Sequence, residues 1–134
     1  METIKKDGFK LLLDFLTSIG ITTYSGVTGG VVIHLLKHIP RYDPTTASGE
    51  PEFLTLGEYS AGFTPLGHYL ATGQASAAVA TTGAAIKLLT CGLSDGKLHN
   101  IPSVYLFPVS SVSHAQDGAL QDTSVYGSNI VEQL

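Results

Sequence analysis

Ala75-Ser76-Ala77-Ala78-Val79-Ala80-Thr81-Thr82-Gly83-Ala84-Ala85-Ile86-Lys87-Leu88-Leu89-Thr90-Cys91-Gly92-Leu93 is the stretch on which the fold turns. Residues 75 to 80 form a short run of small and apolar side chains, the pattern of a buried strand. Thr81-Thr82-Gly83 supplies a turn, and residues 84 to 93 continue as a small-residue helix. Strand, glycine turn and helix in that order make a βα unit, whose repetition builds a parallel sheet.

The same unit recurs on both sides. Downstream, Pro102-Ser103-Val104-Tyr105-Leu106-Phe107-Pro108 reads as a strand framed by prolines, leading into a polar segment, 109 to 124, where the pattern weakens. Upstream, Phe53-Leu54-Thr55-Leu56 is a strand, and a helix runs from Glu58 through Tyr59, Phe63, Leu66, Tyr69 and Leu70 to Gly73. Pro65 falls inside that helix and predicts a kink or a restart, because proline has no N–H to donate. Residues 40 to 51 hold three prolines and no periodicity, an exposed loop. Before it, Ile21-Thr22-Thr23-Tyr24 is a strand stopping at Gly26, and Val31, Val32, Leu35 and Leu36 mark a helix from Gly29-Gly30 to Pro40. Residues 2 to 19 carry Ile4, Leu11, Leu12, Phe15, Leu16 and Ile19 at helical intervals, with Gly20 as a stop. A last helix begins near Asn129. Alternating strands and helices over short turns predict an α/β fold, an open and mostly parallel sheet flanked by helices on both faces. Length alone, 134 residues, predicts a single domain spanning residues 1–134.

Composition narrows the function. Lys+Arg number 7 against 11 Asp+Glu, a net charge of 7 − 11 = −4, and the basic residues form no stripe able to track a phosphate backbone, which argues against nucleic acid. Charged residues make up 13% of the chain, about half the ~25% usual for soluble domains, so part of the surface is expected to be covered by a partner. The lone Cys91 rules out an internal disulfide. His34 and His38 stand four apart on a helix pattern but lack a third ligand, so no metal site is expected. No run approaches the ~20 apolar residues of a membrane span and no targeting segment shows, which makes a cytoplasmic location the simplest expectation.

In open parallel sheets ligands sit beyond the carboxyl ends of the strands. The residues there are Gly26 to Gly30, Gly57-Glu58, Thr81 to Gly83 and the segment after Phe107. Glycine is 15 of 134 residues, above the ~7% norm, and much of the excess falls in these turns. Close approach of backbone to a ligand would require this, although βα turns also use glycine merely to turn.

The order of the turns resembles the pyrimidine-binding (PYR) domain of thiamine diphosphate enzymes of the acetolactate synthase and 2-oxoacid decarboxylase type. Tyr24-Ser25-Gly26-Val27-Thr28-Gly29-Gly30 is similar to that family's F-G-V-P-G-G turn, with Thr28 in place of proline. Leu56-Gly57-Glu58-Tyr59-Ser60-Ala61-Gly62 resembles its H-E-x-x-A segment, and Gly67-His68-Tyr69-Leu70-Ala71-Thr72-Gly73 its G-Y-A-R-x-x-G. Thr81 to Leu88 falls where the family has T-S-G-P-G-x-x-N. Gly92-Leu93-Ser94-Asp95 with Ile101-Pro102 matches G-L-A-D-A followed by I-P, and Leu120-Gln121-Asp122 resembles F-Q-E. The likeness spans about residues 8 to 124, six segments in the family's order.

The resemblance implies a role for Glu58. In the family the equivalent carboxyl hydrogen-bonds N1′ of the cofactor's aminopyrimidine and favours the imino tautomer that removes the thiazolium C2 proton. The alternative reading of Glu58 is a carboxylate placed at a helix N-terminus by the dipole. Cofactor contacts are implied at Gly26, Val27, Thr28, Gly29, Gly30, Glu58, Thr81, Thr82 and Gly83. His114 falls in a loop where some decarboxylases carry histidines near the substrate, so a catalytic role is weighed against an exposed loop histidine; His68 and Tyr69 read as packing residues. Gly30 occupies a position where some decarboxylases have a catalytic aspartate or serine. Ala85 and Leu88 depart from the pattern, standing for its second glycine and its asparagine. The G-D-G…N-N motif for diphosphate and magnesium is absent and would belong to a PP domain on a separate partner chain, which implies an α2β2 assembly with PYR–PYR contact. The implied function is decarboxylation of a small 2-oxoacid, carboligation of the resulting activated aldehyde, or both. A noncatalytic regulatory subunit and an unrelated nucleotide-binding α/β module are the alternatives.

Overall fold

A computed structural model describes residues 7–30, 32–45 and 50–108. Its elements run α1 (Gly8–Ser18), β1 (Thr23–Gly26), α2 (Ile33–Leu36), β2 (Glu52–Thr55), α3 (Glu58–Thr72), β3 (Ala77–Val79), α4 (Ala84–Leu98) and β4 (Val104–Leu106). The strands form one sheet in the order β2-β1-β3-β4, and all three pairings are parallel. The α/β architecture expected from the alternation is therefore what the chain adopts.

Period-two side-chain alternation splits the core between the two faces of the sheet. Ala77 and Val79 of β3 pack with Tyr24, Phe53, Leu13 and Leu16 of α1 and Leu35 and Leu36 of α2. Ala78 and the following Ala80 face the other way, onto Ala61 of α3 and Ala85, Ile86 and Leu89 of α4. β4 repeats the pattern, with Val104 and Leu106 on the first face and Tyr105 on the second. A strand buried on both sides has no polar face to show, which is why 75–80 reads as an uninterrupted run.

The helix ends follow capping chemistry. Asp7 caps α1, its Oδ1 accepting the Phe9 N–H at 3.0 Å. Gly20 leaves the helix at φ +90, and the Ile21 N–H closes onto Leu16 O at 2.9 Å. Gly73, at φ +74, ends α3 in the same left-handed way.

Small residues let α3 and α4 touch backbone to backbone. A Cβ on Gly62 would lie 2.3 Å from Leu89 O, and one on Gly92 only 1.9 Å from Gly62 O. This contact sets how the two helices lie on the sheet, and α3 carries Glu58 at its first position.

Several boundaries differ from the sequence expectations. α2 spans four residues rather than the whole of 31 to 40, its last turns winding down through Lys37 to Ile39 toward Pro40. α4 continues to Leu98, past the expected end at 93. Pro65 does not restart α3, which is continuous over 15 residues. The described residues 40–45 and 50 are exposed, as expected of a loop, but its start pairs with the sheet: Arg41 bridges Phe53 and the Tyr42 N–H donates to Phe53 O at 2.9 Å. The expected helical start at residues 2 to 6, the segment 109 to 124 with His114 and Leu120-Gln121-Asp122, and the helix near Asn129 lie outside the described residues.

Candidate functional site

Because the four described strands are parallel, their carboxyl ends gather on one edge of the sheet. Three segments meet there. The backbone joins them directly: the Leu56 N–H donates to Gly26 O at 2.8 Å, tying the exit of β2 to that of β1. Gly26 itself lies so close to β3 that a Cβ would fall 2.3 Å from Val79 O. No other residue fits there without separating the two strands.

The turn after β1 rests on the turn after β3. A Cβ on Gly29 would meet Thr81 Cγ2 at 2.3 Å, so this glycine is required for the two turns to nest. The Gly29 carbonyl then accepts the Val32 and Ile33 N–H groups at 3.1 and 3.0 Å and starts α2. Gly30, by contrast, is exposed and has nothing within 4 Å of a Cβ position. Val27 is half-buried and Thr28 exposed on the same loop.

Under them, Thr82 and Gly83 are buried and Thr81 half-buried. Gly83 holds φ +65 and ψ −123, a conformation open to glycine, and leads directly into α4. Glu58, half-buried, is the first residue of α3, behind Gly57 in an extended conformation (φ −58, ψ 149). A carboxylate there is favoured by the helix dipole. The Ala61 N–H donates to Gly57 O at 2.8 Å and closes the turn that holds it.

The structure thus brings together Gly26, Val27, Thr28, Gly29, Gly30, Glu58, Thr81, Thr82 and Gly83 along one sheet edge, as the sequence reading expected. His114 lies outside the described residues. His68 is half-buried within α3 and Leu88 is 45% exposed on α4. His38 is engaged elsewhere, its Nε2 3.0 Å from Asp7 Oδ2 with Lys37 Nζ at 3.8 Å, and no group of three or more metal-ligating side chains occurs among the described residues.

Two contacts behind the edge were missed from sequence. Ser25 Oγ donates to Ala61 O at 2.9 Å, and the Tyr105 hydroxyl donates to Gly62 O at 2.8 Å. The signal for the first was present in Pro65, which removes the N–H that Ala61 O would otherwise accept.

The three segments at this edge offer one carboxylate, threonine hydroxyls and glycine backbone, with no lysine or arginine. The chain is 28% identical over 121 residues to the acetolactate synthase isozyme 2 large subunit of Escherichia coli (strain K12), a match covering 90% of this chain and 21% of that protein. It is 26% identical over 120 residues to an uncharacterized protein of Haemophilus influenzae, covering 90% of this chain and 43% of that one. The chain therefore spans about a fifth of the first relative and less than half of the second. Residues 6–128 match the family described as thiamine pyrophosphate enzyme, N-terminal TPP binding domain, and with most of its length inside that match the chain belongs to this family.

Proposed function

We propose that this chain is the pyrimidine-binding half of a thiamine diphosphate enzyme acting on a 2-oxoacid, by decarboxylation, by ligation of the activated aldehyde to an acceptor, or both. The observation that carries the reading is Glu58 at the head of α3, on the same sheet edge as the nested glycine and threonine turns. Thiamine diphosphate, when bound, supplies an acidic thiazolium carbon able to add to the substrate carbonyl. Glu58 would hydrogen-bond the aminopyrimidine N1′ and exchange a proton with it. Gly26 to Gly30 and Thr81 to Gly83 bind and orient the ring, with backbone rather than long side chains limiting its approach. Gly30 bears no protonating group and leaves room for a second substrate, which favours carboligation.

Diphosphate and magnesium fall to a PP domain carrying the motif this chain lacks, on a partner chain in an α2β2 assembly with PYR–PYR contact. The chain's 13% charged residues fit a surface partly covered in such a complex. In the complex reconstituted with that partner, the wild-type chain releases carbon dioxide from at least one 2-oxoacid and the Glu58→Gln chain does not. Release at the wild-type rate by Glu58→Gln overturns the assignment. Leu88, exposed where the family has asparagine, favours a second reading as a noncatalytic assembly subunit. In that case Glu58→Gln changes nothing, whereas titration with NAD in place of thiamine diphosphate detects a nucleotide-binding module.

A further inference from the structure

An α-helical carbonyl at position i accepts the N–H of residue i+4, and proline has none. Pro65 therefore leaves Ala61 O without its helical donor, deep in the protein where Ala61 is fully buried. Ser25 of β1 fills the gap. Ser25 is 1% exposed, and its hydroxyl donates to Ala61 O at 2.9 Å, with Ala77 O farther off at 3.4 Å. One residue along α3, Gly62 O accepts the Tyr105 hydroxyl of β4 at 2.8 Å. Burial pushes that phenol up to about 12, so it stays a donor at any physiological pH.

The two hydroxyls grip one turn of α3 from strands on opposite sides of β3. That turn lies three and four residues beyond Glu58, within a single helical turn, so any slide of α3 at Ala61 carries the carboxyl with it. The residue after Ser25 acts on the other side, since Gly26 O holds the Leu56 N–H just ahead of the helix. Adjacent residues of β1 thus fix the chain on both sides of Glu58. A helix with an ordinary residue at position 65 would satisfy Ala61 O internally and would have no such dependence on the strand.

We infer that Ser25 is a positioning residue for Glu58: through the Ala61 carbonyl that Pro65 leaves open, it sets the depth and register at which α3 presents its first carboxyl to the cofactor. This inference rests on the reading of Glu58 given above.

Ser25→Ala, Pro65→Ala, the double variant and Glu58→Gln, each in the full chain reconstituted with its partner, test it. An unsatisfied buried carbonyl loosens the turn, so amide hydrogen exchange at Ala61 and Gly62 in Ser25→Ala is expected to be roughly ten-fold faster, without any cofactor present. At saturating thiamine diphosphate, exchange of its C2 proton is expected to slow by about ten-fold or more while cofactor affinity is unchanged. Pro65→Ala returns an N–H to Ala61 O, so the double variant recovers both rates to those of Pro65→Ala alone. Unchanged amide exchange in Ser25→Ala, unchanged C2 exchange despite looser amides, or simple additivity in the double variant each overturns the inference. Glu58→Gln separates the levels. If it abolishes C2 exchange while Ser25→Ala does not slow it, the positioning role alone fails; if Glu58→Gln exchanges like wild type, the reading of Glu58 fails and the positioning role falls with it.

Discussion

Replacing Gly92 by alanine puts a methyl group where α3 and α4 leave no room. The added Cβ would lie 1.9 Å from Gly62 O, 2.2 Å from Gly62 C and 2.8 Å from Phe63 N, all backbone atoms that no rotamer change can move. Restoring an ordinary contact of 3.4 Å would need a separation of 3.4 − 1.9 = 1.5 Å along that line. Overpacking of this kind costs about 1–3 kcal/mol and more where the backbone must shift, against a helix-propensity gain of about 1 kcal/mol for alanine over glycine. Because backbone must shift, we expect a net loss at the top of that range, about 2 kcal/mol, read as a lower urea midpoint at unchanged slope and a melting temperature lower by about 6–10 °C in far-ultraviolet circular dichroism. Gly67→Ala is the internal control, because Gly67 lies on the exposed side of α3 with nothing within 4 Å of its Cβ position. There the propensity term acts alone and stability rises by about 0.5–1 kcal/mol. A Gly92→Ala chain as stable as wild type, or a Gly67→Ala chain equally damaged, would refute the backbone-contact argument.

Two further outcomes are expected. Desolvation raises the Asp7 carboxyl, but the Phe9 N–H, the His38 contact and the charges of His38 and Lys37 outweigh it and hold the group below its ordinary range. A depressed folded value means the stabilisation is fully present above the unfolded value, about 3.9, and is lost as pH falls through the lower folded value. Asp7→Asn should therefore flatten the fall of the urea midpoint in that acidic window; an unchanged acid limb contradicts the assignment. Gly83→Ala forces an L side chain into φ +65, ψ −123 and should cost about 1–3 kcal/mol by urea titration, whereas a neutral result would mean that the turn into α4 relaxes freely.

Much of the sheet edge was legible because each βα unit carries its own punctuation. Gly20, Gly73 and Gly83 all take positive φ where the sequence marks an end or a turn, and the Thr81-Thr82-Gly83 turn emerges where the small-residue run stops. The two-sided core was legible in part. Ala77 to Ala80 show burial on both faces, but composition does not say which helices cover which face.

What remained hidden was tertiary. Pro65 predicts a broken helix only if its missing hydrogen bond goes unreplaced, and the replacement comes from Ser25, 36 residues away from the acceptor. The length of α2 was overread for a related reason. Val32, Leu35, Leu36 and Ile39 have helical spacing and are buried, but the chain tightens into turns before Pro40 and then pairs Arg41 with Phe53. His34 and His38 share a helical interval, but His38 is held by the cap of α1, a partner 31 residues earlier in the chain.

The central claim, that Glu58 shares a proton with the aminopyrimidine, is tested most directly by deuterium exchange at C2 of thiamine diphosphate, followed by quenched-flow NMR on the complex with the proposed PP partner. The account predicts fast exchange with the wild-type chain and a loss of about 10²-fold or more with Glu58→Gln at saturating cofactor. Equal exchange rates in the two complexes would contradict it.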